Sequence, residues 1–142
     1  MTPGNLQFKF KFTVDGNTAD YNQMKYTNAA GNQYELTNIQ WFISDVTLID
    51  TSGSQYTIDD GNWIHYVDSD IPESQQWNIP GIQPGQYKGI MFVFGIKGEK
   101  NIPGMFTNPP ESNMMWPYMM GGDFWGYLAM EHRDLLVILS VY

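Results

Sequence analysis

Leu6-Gln7-Phe8-Lys9-Phe10-Lys11-Phe12-Thr13-Val14 alternates apolar and polar side chains without a break. Successive side chains of an extended backbone point to opposite faces, so Leu6, Phe8, Phe10, Phe12 and Val14 share one face while Gln7, Lys9, Lys11 and Thr13 share the other. The pattern predicts a strand of a sheet with one buried and one wet face.

Outward from this strand the same grammar repeats. Asp15-Gly16-Asn17 is a turn signal, Met24 to Thr27 reads as a short strand, and Asn28-Ala29-Ala30-Gly31-Asn32 ends it. Tyr34 to Ile49 is dense enough in β-branched and aromatic residues for one long strand, or two joined by a bulge near Ser44-Asp45. Gln55 to Ile58 and Trp63 to Val67 flank Asp59-Asp60-Gly61-Asn62, which reads as a hairpin connection. Gln76 to Ile79 is a short strand, and Pro80-Gly81 with Pro84-Gly85 bracket a turn. Tyr87 to Ile96 is apolar enough for a central strand buried on both faces. The prolines and glycines between Lys97 and Ser112 demand a loop. Turn signals at this spacing, with no sustained helical period, predict an all-β protein: an antiparallel β-sandwich with Greek-key-like connections and a long irregular loop near residues 97–123. The whole chain, 1–142, reads as a single domain.

Composition excludes several function classes. Seven basic against fifteen acidic residues give a net charge of −8, which disfavours a nucleic-acid partner. Cysteine is absent, so no disulfide, thiol nucleophile or thiolate metal site is available. No apolar run reaches the length of a membrane span. Charged residues are only 15% of a chain rich in Asn, Gln, Ser, Thr, Gly and aromatics, the composition of exported β-rich proteins. A signal or lipoprotein anchor is expected to precede Met1.

The stretch Asn113 to Tyr127 concentrates four of the nine methionines and two of the five tryptophans, and Pro117 with Gly121-Gly122 makes it irregular. Thioether sulfur on such a Met-rich loop suits a greasy contact surface or a soft metal such as Cu(I).

Three motifs carry a resemblance. Asn38-Ile39-Gln40-Trp41-Phe42-Ile43-Ser44-Asp45-Val46-Thr47-Leu48 comes first, and Pro84-Gly85-Gln86-Tyr87-Lys88-Gly89-Ile90-Met91-Phe92-Val93-Phe94-Gly95-Ile96 follows. Met115-Trp116-Pro117 with Gly121-Gly122 and Gly126-Tyr127 completes the set. In this order they resemble the MbnP-like proteins, exported β-sandwich proteins of Gram-negative bacteria, many of them lipoproteins, over Phe8 to about Met130. The resemblance implies a copper-binding protein, periplasmic or anchored at the outer membrane or surface. In some relatives a partner di-haem enzyme oxidises a tryptophan to kynurenine, which joins histidines at the metal. Relatives often carry His on the first strand and after the Gly-Tyr of the third motif. This chain has Phe and Lys in the first place and Leu128 in the second, and ends at Tyr142, so a truncated or short divergent member is expected.

Candidate metal ligands follow. Trp63 and His65, at i and i+2 of a strand, would share one face about 7 Å apart, and an imidazole is a common copper ligand. His132, with Met114, Met115, Met119 and Met120, would make a His/Met site. The bland accounts are a half-exposed histidine on an aromatic strand and methionines filling an irregular core. Asp59-Asp60-Gly61-Asn62 and Asp68-Ser69-Asp70 lack the calcium-loop pattern and read as solvated turns. Ser44, His65 and Asp68 form no nucleophile elbow, and no enzyme is expected. The rival to copper is a glycan- or protein-binding module with Trp116, Tyr118, Trp125 and Tyr127 as a stacking platform. A structural surface domain without ligand is the third reading.

Overall fold

A computed structural model describes residues 2–96, 98–116, 126–127 and 129–130. In chain order its strands are β1 (Gly4–Lys9), β2 (Thr13–Val14), β3 (Asn17–Thr18), β4 (Tyr26–Thr27), β5 (Gln33–Tyr34), β6 (Gln40–Asp50), β7 (Gln55–Thr57), β8 (Ile64–Asp68), β9 (Gln76–Ile82), β10 (Tyr87–Gly95), β11 (Met115–Trp116), β12 (Gly126–Tyr127) and β13 (Ala129–Met130). Pro72–Gln75, Gly98–Lys100 and Glu111–Met114 are 3₁₀ turns.

The eleven-residue β6 organises the main sheet. One edge pairs with β10, from Asp50↔Tyr87 to Ile43↔Phe94, and the other carries β7 and β8 end to end. A second layer, the antiparallel pair β1–β9, lies across it. The chain passes from β8 in the main sheet to β9 in the second layer and back to β10, which makes an all-β, antiparallel sandwich. Leu6, Phe8, Phe10, Trp77, Ile79 and Ile82 of the second layer pack on Trp41, Ile43, Val46, Leu48 and Val67 of the main sheet. Phe8 is 0% exposed, and full burial of such a side chain is worth about 2–3 kcal/mol.

The inward set on β6 changes phase, from Trp41 and Ile43 to Val46 and Leu48. An extra residue between Ser44 and Thr47 does this: Met91 pairs with Thr47 but Val93 with Ser44. Asp45 at that point has φ 51°, so of the two readings of Tyr34 to Ile49 the one with a bulge near Ser44-Asp45 holds, although the strand starts only at Gln40. Outside the described core, β2–β3 and β4–β5 are minimal hairpins.

Several expectations are corrected. The first strand stops at Lys9 rather than Val14, although Phe10 stays buried and Phe12 packs against the core. The short strand read from Met24 begins only at Tyr26. Strands β7 and β8 do not pair with each other, so Asp59–Asn62 is not a hairpin turn. The long edge of β6 accommodates both, and the loop between them passes the bulge, with the Asp45 N–H donating to the Trp63 carbonyl. The strand read from Gln76 to Ile79 runs on to Ile82 through a bulge in which Gly81 takes φ 76°, so the bracketed turn is confined to the residues around Pro84-Gly85. Strand β10 is not buried on both faces; Met91 is 44% exposed, and β6 is the central strand.

Candidate functional site

The two faces of β6 and β8 carry different chemistry. His65 pairs with Ile43 and faces inward, whereas Tyr66 pairs with Phe42 and faces outward. On the outer face Phe42, Tyr66 and Ile96 form a second apolar cluster, against which Trp63, Met105, Phe106, Met114 and Met115 pack. The segment after β10 folds back to cover this face. Phe106 stacks on Phe42 at 5.1 Å, and Asn101 Nδ2 donates to the Ile96 carbonyl at 2.8 Å. Met114 closes the 3₁₀ turn and Met115 opens β11, so the chain changes conformation between them and both neighbours reach one cluster. A cleft of about 420 Å³ lies beside it, with Phe42, His65, Tyr66, Phe106, Glu73 and Glu111 in its walls.

Trp63 precedes β8 and so escapes strand alternation, joining the outer cluster while His65 joins the inner one. The shared face expected for these two is therefore not formed. The Lys100 ammonium lies 4.9 Å over the Trp63 ring and 2.6 Å from Asp45 Oδ1. A cation over an indole face is attracted by the ring quadrupole, and its charge opposes removal of an electron from that ring.

His65 stacks between Phe10, at 6.0 Å, and Trp77, at 5.0 Å. Its Nε2 lies 2.7 Å from the Ser74 carbonyl. A carbonyl only accepts, so Nε2 carries the proton and Nδ1 keeps the lone pair. Burial lowers the His65 pKa against the opposing pull of that carbonyl. As a metal ligand it has one nitrogen to offer.

Asp68 is no solvated turn residue, being 3% exposed. Oδ2 accepts from the Tyr66 hydroxyl (2.6 Å) and Gln40 Nε2 (3.1 Å); Oδ1 accepts from Asn38 Nδ2 (2.9 Å) and the Asp70 amide (2.8 Å). Burial pushes its pKa up, but these donors together outweigh burial and hold it below the ordinary carboxylate value. Burial first, and Asp68 second, push the Tyr66 hydroxyl well up. The network ties β6, β8 and the following turn together. Ser44 is fully buried and donates to the Gly95 carbonyl, apart from this network.

Of the sequence candidates, Trp63, Met114 and Met115 are brought together and His65 is set apart. His132, Met119, Met120, Tyr118 and Trp125 lie outside the described residues. Trp116 and Tyr127 belong to the β11–β12 ladder, Met115↔Tyr127 and Trp116↔Gly126. Sequence reasoning missed Met105, a lone methionine in a Pro/Gly loop, and the stacking of Trp77 on His65, which no local spacing encodes. Among the described residues no three of His, Asp and Glu converge as a metal site.

No curated protein and no solved structure matches the chain. The family model of MbnP matches residues 3–127. That span runs from β1 through the covered outer face to β12, and the chain belongs to the MbnP family.

Proposed function

We propose that this MbnP-family protein is an exported copper protein that holds Cu(I) through thioether sulfur on the outer face of its main sheet. The observation that carries this reading is the convergence of Met105, Met114 and Met115 on one cluster. Thioethers are soft donors suited to Cu(I), and a chain without cysteine has no thiolate to compete for it. His65 touches the adjoining cleft, but its ring is stacked between Phe10 and Trp77 and its Nε2 is engaged by the Ser74 carbonyl, so the described residues fit a sulfur site better than the mixed imidazole-thioether site. Copper bound there would supply a soft Lewis-acid or one-electron centre. Glu73 and Glu111 at the adjoining cleft and the net charge of −8 favour approach of a cation. Trp63 and Trp116 are the candidates for conversion to kynurenine by a di-haem partner; Trp63 carries Lys100, paired with Asp45, over its ring.

The test is a Cu(I) titration against a chromophoric competitor. Binding tighter than micromolar is expected, weakened roughly tenfold or more by Met114→Leu with Met115→Leu, since loss of good ligands costs at least about 1.4 kcal/mol. A thioether has no proton to lose, so the affinity should stay level from pH 7 to pH 5, where an imidazole site would weaken. Unchanged affinity in the double variant would overturn the assignment.

A further inference from the structure

Far from the methionine face, the β6–β7 turn and the β9–β10 turn enclose a cleft of about 390 Å³. Asp50, Gln55, Tyr56, Gln83, Gln86 and Tyr87 contribute to its walls. Tyr56 is 45% and Tyr87 36% exposed, two large rings left in water, whereas the other aromatics between Phe8 and Phe106 are buried or partly buried. Their common face follows from register. Tyr56 pairs with Leu48 and Tyr87 with Asp50, and Leu48 and Asp50 are two residues apart on β6, so both rings stand on the same side of the sheet. Because β6 runs between them, they are separated laterally by about 10 Å, twice the strand spacing. Two neighbouring sugar rings can bridge that gap.

The walls are preformed. The Thr51 amide donates to the Gln86 carbonyl at 3.1 Å, joining the two turns. The Tyr87 hydroxyl donates to the Gln83 carbonyl and fixes its ring. Asp50 Oδ1 accepts from the Ser52 amide (2.9 Å), the Ser52 hydroxyl (2.6 Å) and the Ser54 amide (2.9 Å), which holds the carboxylate still. A carboxylate has about four lone-pair sites, so acceptor capacity remains. The two turns, the Tyr87 ring and the Asp50 carboxylate are thus set before a ligand arrives, which lowers the ordering cost of binding.

We infer that this cleft binds a neutral oligosaccharide. The apolar C–H face of a pyranose covers an aromatic ring, and Tyr56 and Tyr87 offer two such rings. Its hydroxyls need both donors and acceptors, which the glutamine amides and Asp50 supply together. Asp50 is the charged side chain lining the cleft and the molecule is acidic overall, which disfavours acidic sugars. The site is independent of the copper reading.

Calorimetry of the full chain with cellohexaose, laminarihexaose and maltohexaose tests it. At least one should bind, Tyr56→Ala should weaken that binding roughly tenfold, as truncation of an aromatic anchor does, and Tyr56→Phe should retain it. Gln86→Ala should also weaken it, with circular dichroism confirming that each variant is folded and Cu(I) affinity unchanged throughout. Absence of binding to all three glucans overturns the inference. So does binding that survives Tyr56→Ala and Gln86→Ala but is lost in Trp116→Ala, which would place the sugar on the other aromatic stretch.

Discussion

His65 shows how one residue's surroundings set its chemistry. Clamped between Phe10 and Trp77 with Nε2 held by Ser74, it is kept neutral, and its pKa lies below the ordinary 6.5. The unfolded chain therefore takes up a proton at this position from about pH 6.5 downward while the folded chain does not. The contribution of His65 to stability is complete above that pH and is lost as pH falls toward the lowered folded pKa. Thermal midpoints between pH 8 and pH 5 should fall on the acid side, and His65→Phe should flatten the curve. An equal slope in the variant would contradict this. Asp68, held below its usual value of 3.8, loses its contribution only at still lower pH and does not confuse the window. None of this was legible from Trp63-Ile64-His65: Phe10 and Trp77 are distant in sequence, and the strand starts one residue after Trp63.

Among the elements, β6 decides most. Its bulge was legible because Ser44-Asp45 interrupts an apolar run, and such an interruption reverses which alternate residues face the core. What a strand pairs with was not. Asp59-Asp60-Gly61-Asn62 has hairpin residues, yet β7 and β8 bond to β6 because its eleven residues offer an edge long enough for both. Pro80-Gly81 likewise looks like the end of a strand but is the bulge that lets β9 follow β1 to Ile82. Asp45 holds the β6 bulge at positive φ, a region that a β-branched side chain tolerates poorly. Asp45→Val should cost about 2 kcal/mol, read from the urea midpoint, through backbone strain with loss of the Lys100 pair. A stability within about 0.5 kcal/mol of the wild type would mean the bulge is not held there.

At the scale of the whole molecule, the alternating first strand and the recurring turns sufficed for the sandwich, because one inward face per strand is all that two stacked layers require. The second, outer cluster was hidden from the sequence. It exists because the Pro/Gly-rich segment after β10 returns over Phe42 and Tyr66 and carries Met105, Met114 and Met115 with it. That return brings three scattered methionines onto one cluster, while the His65 ring stacks on the inner aromatics Phe10 and Trp77. The distinction is open to direct reading by copper-edge X-ray absorption on the protein loaded with one equivalent of Cu(I). Sulfur should dominate the nearest scattering shell, be lost in the Met114→Leu, Met115→Leu variant and be untouched by His65→Phe. A shell of nitrogen that disappears with His65 would contradict it.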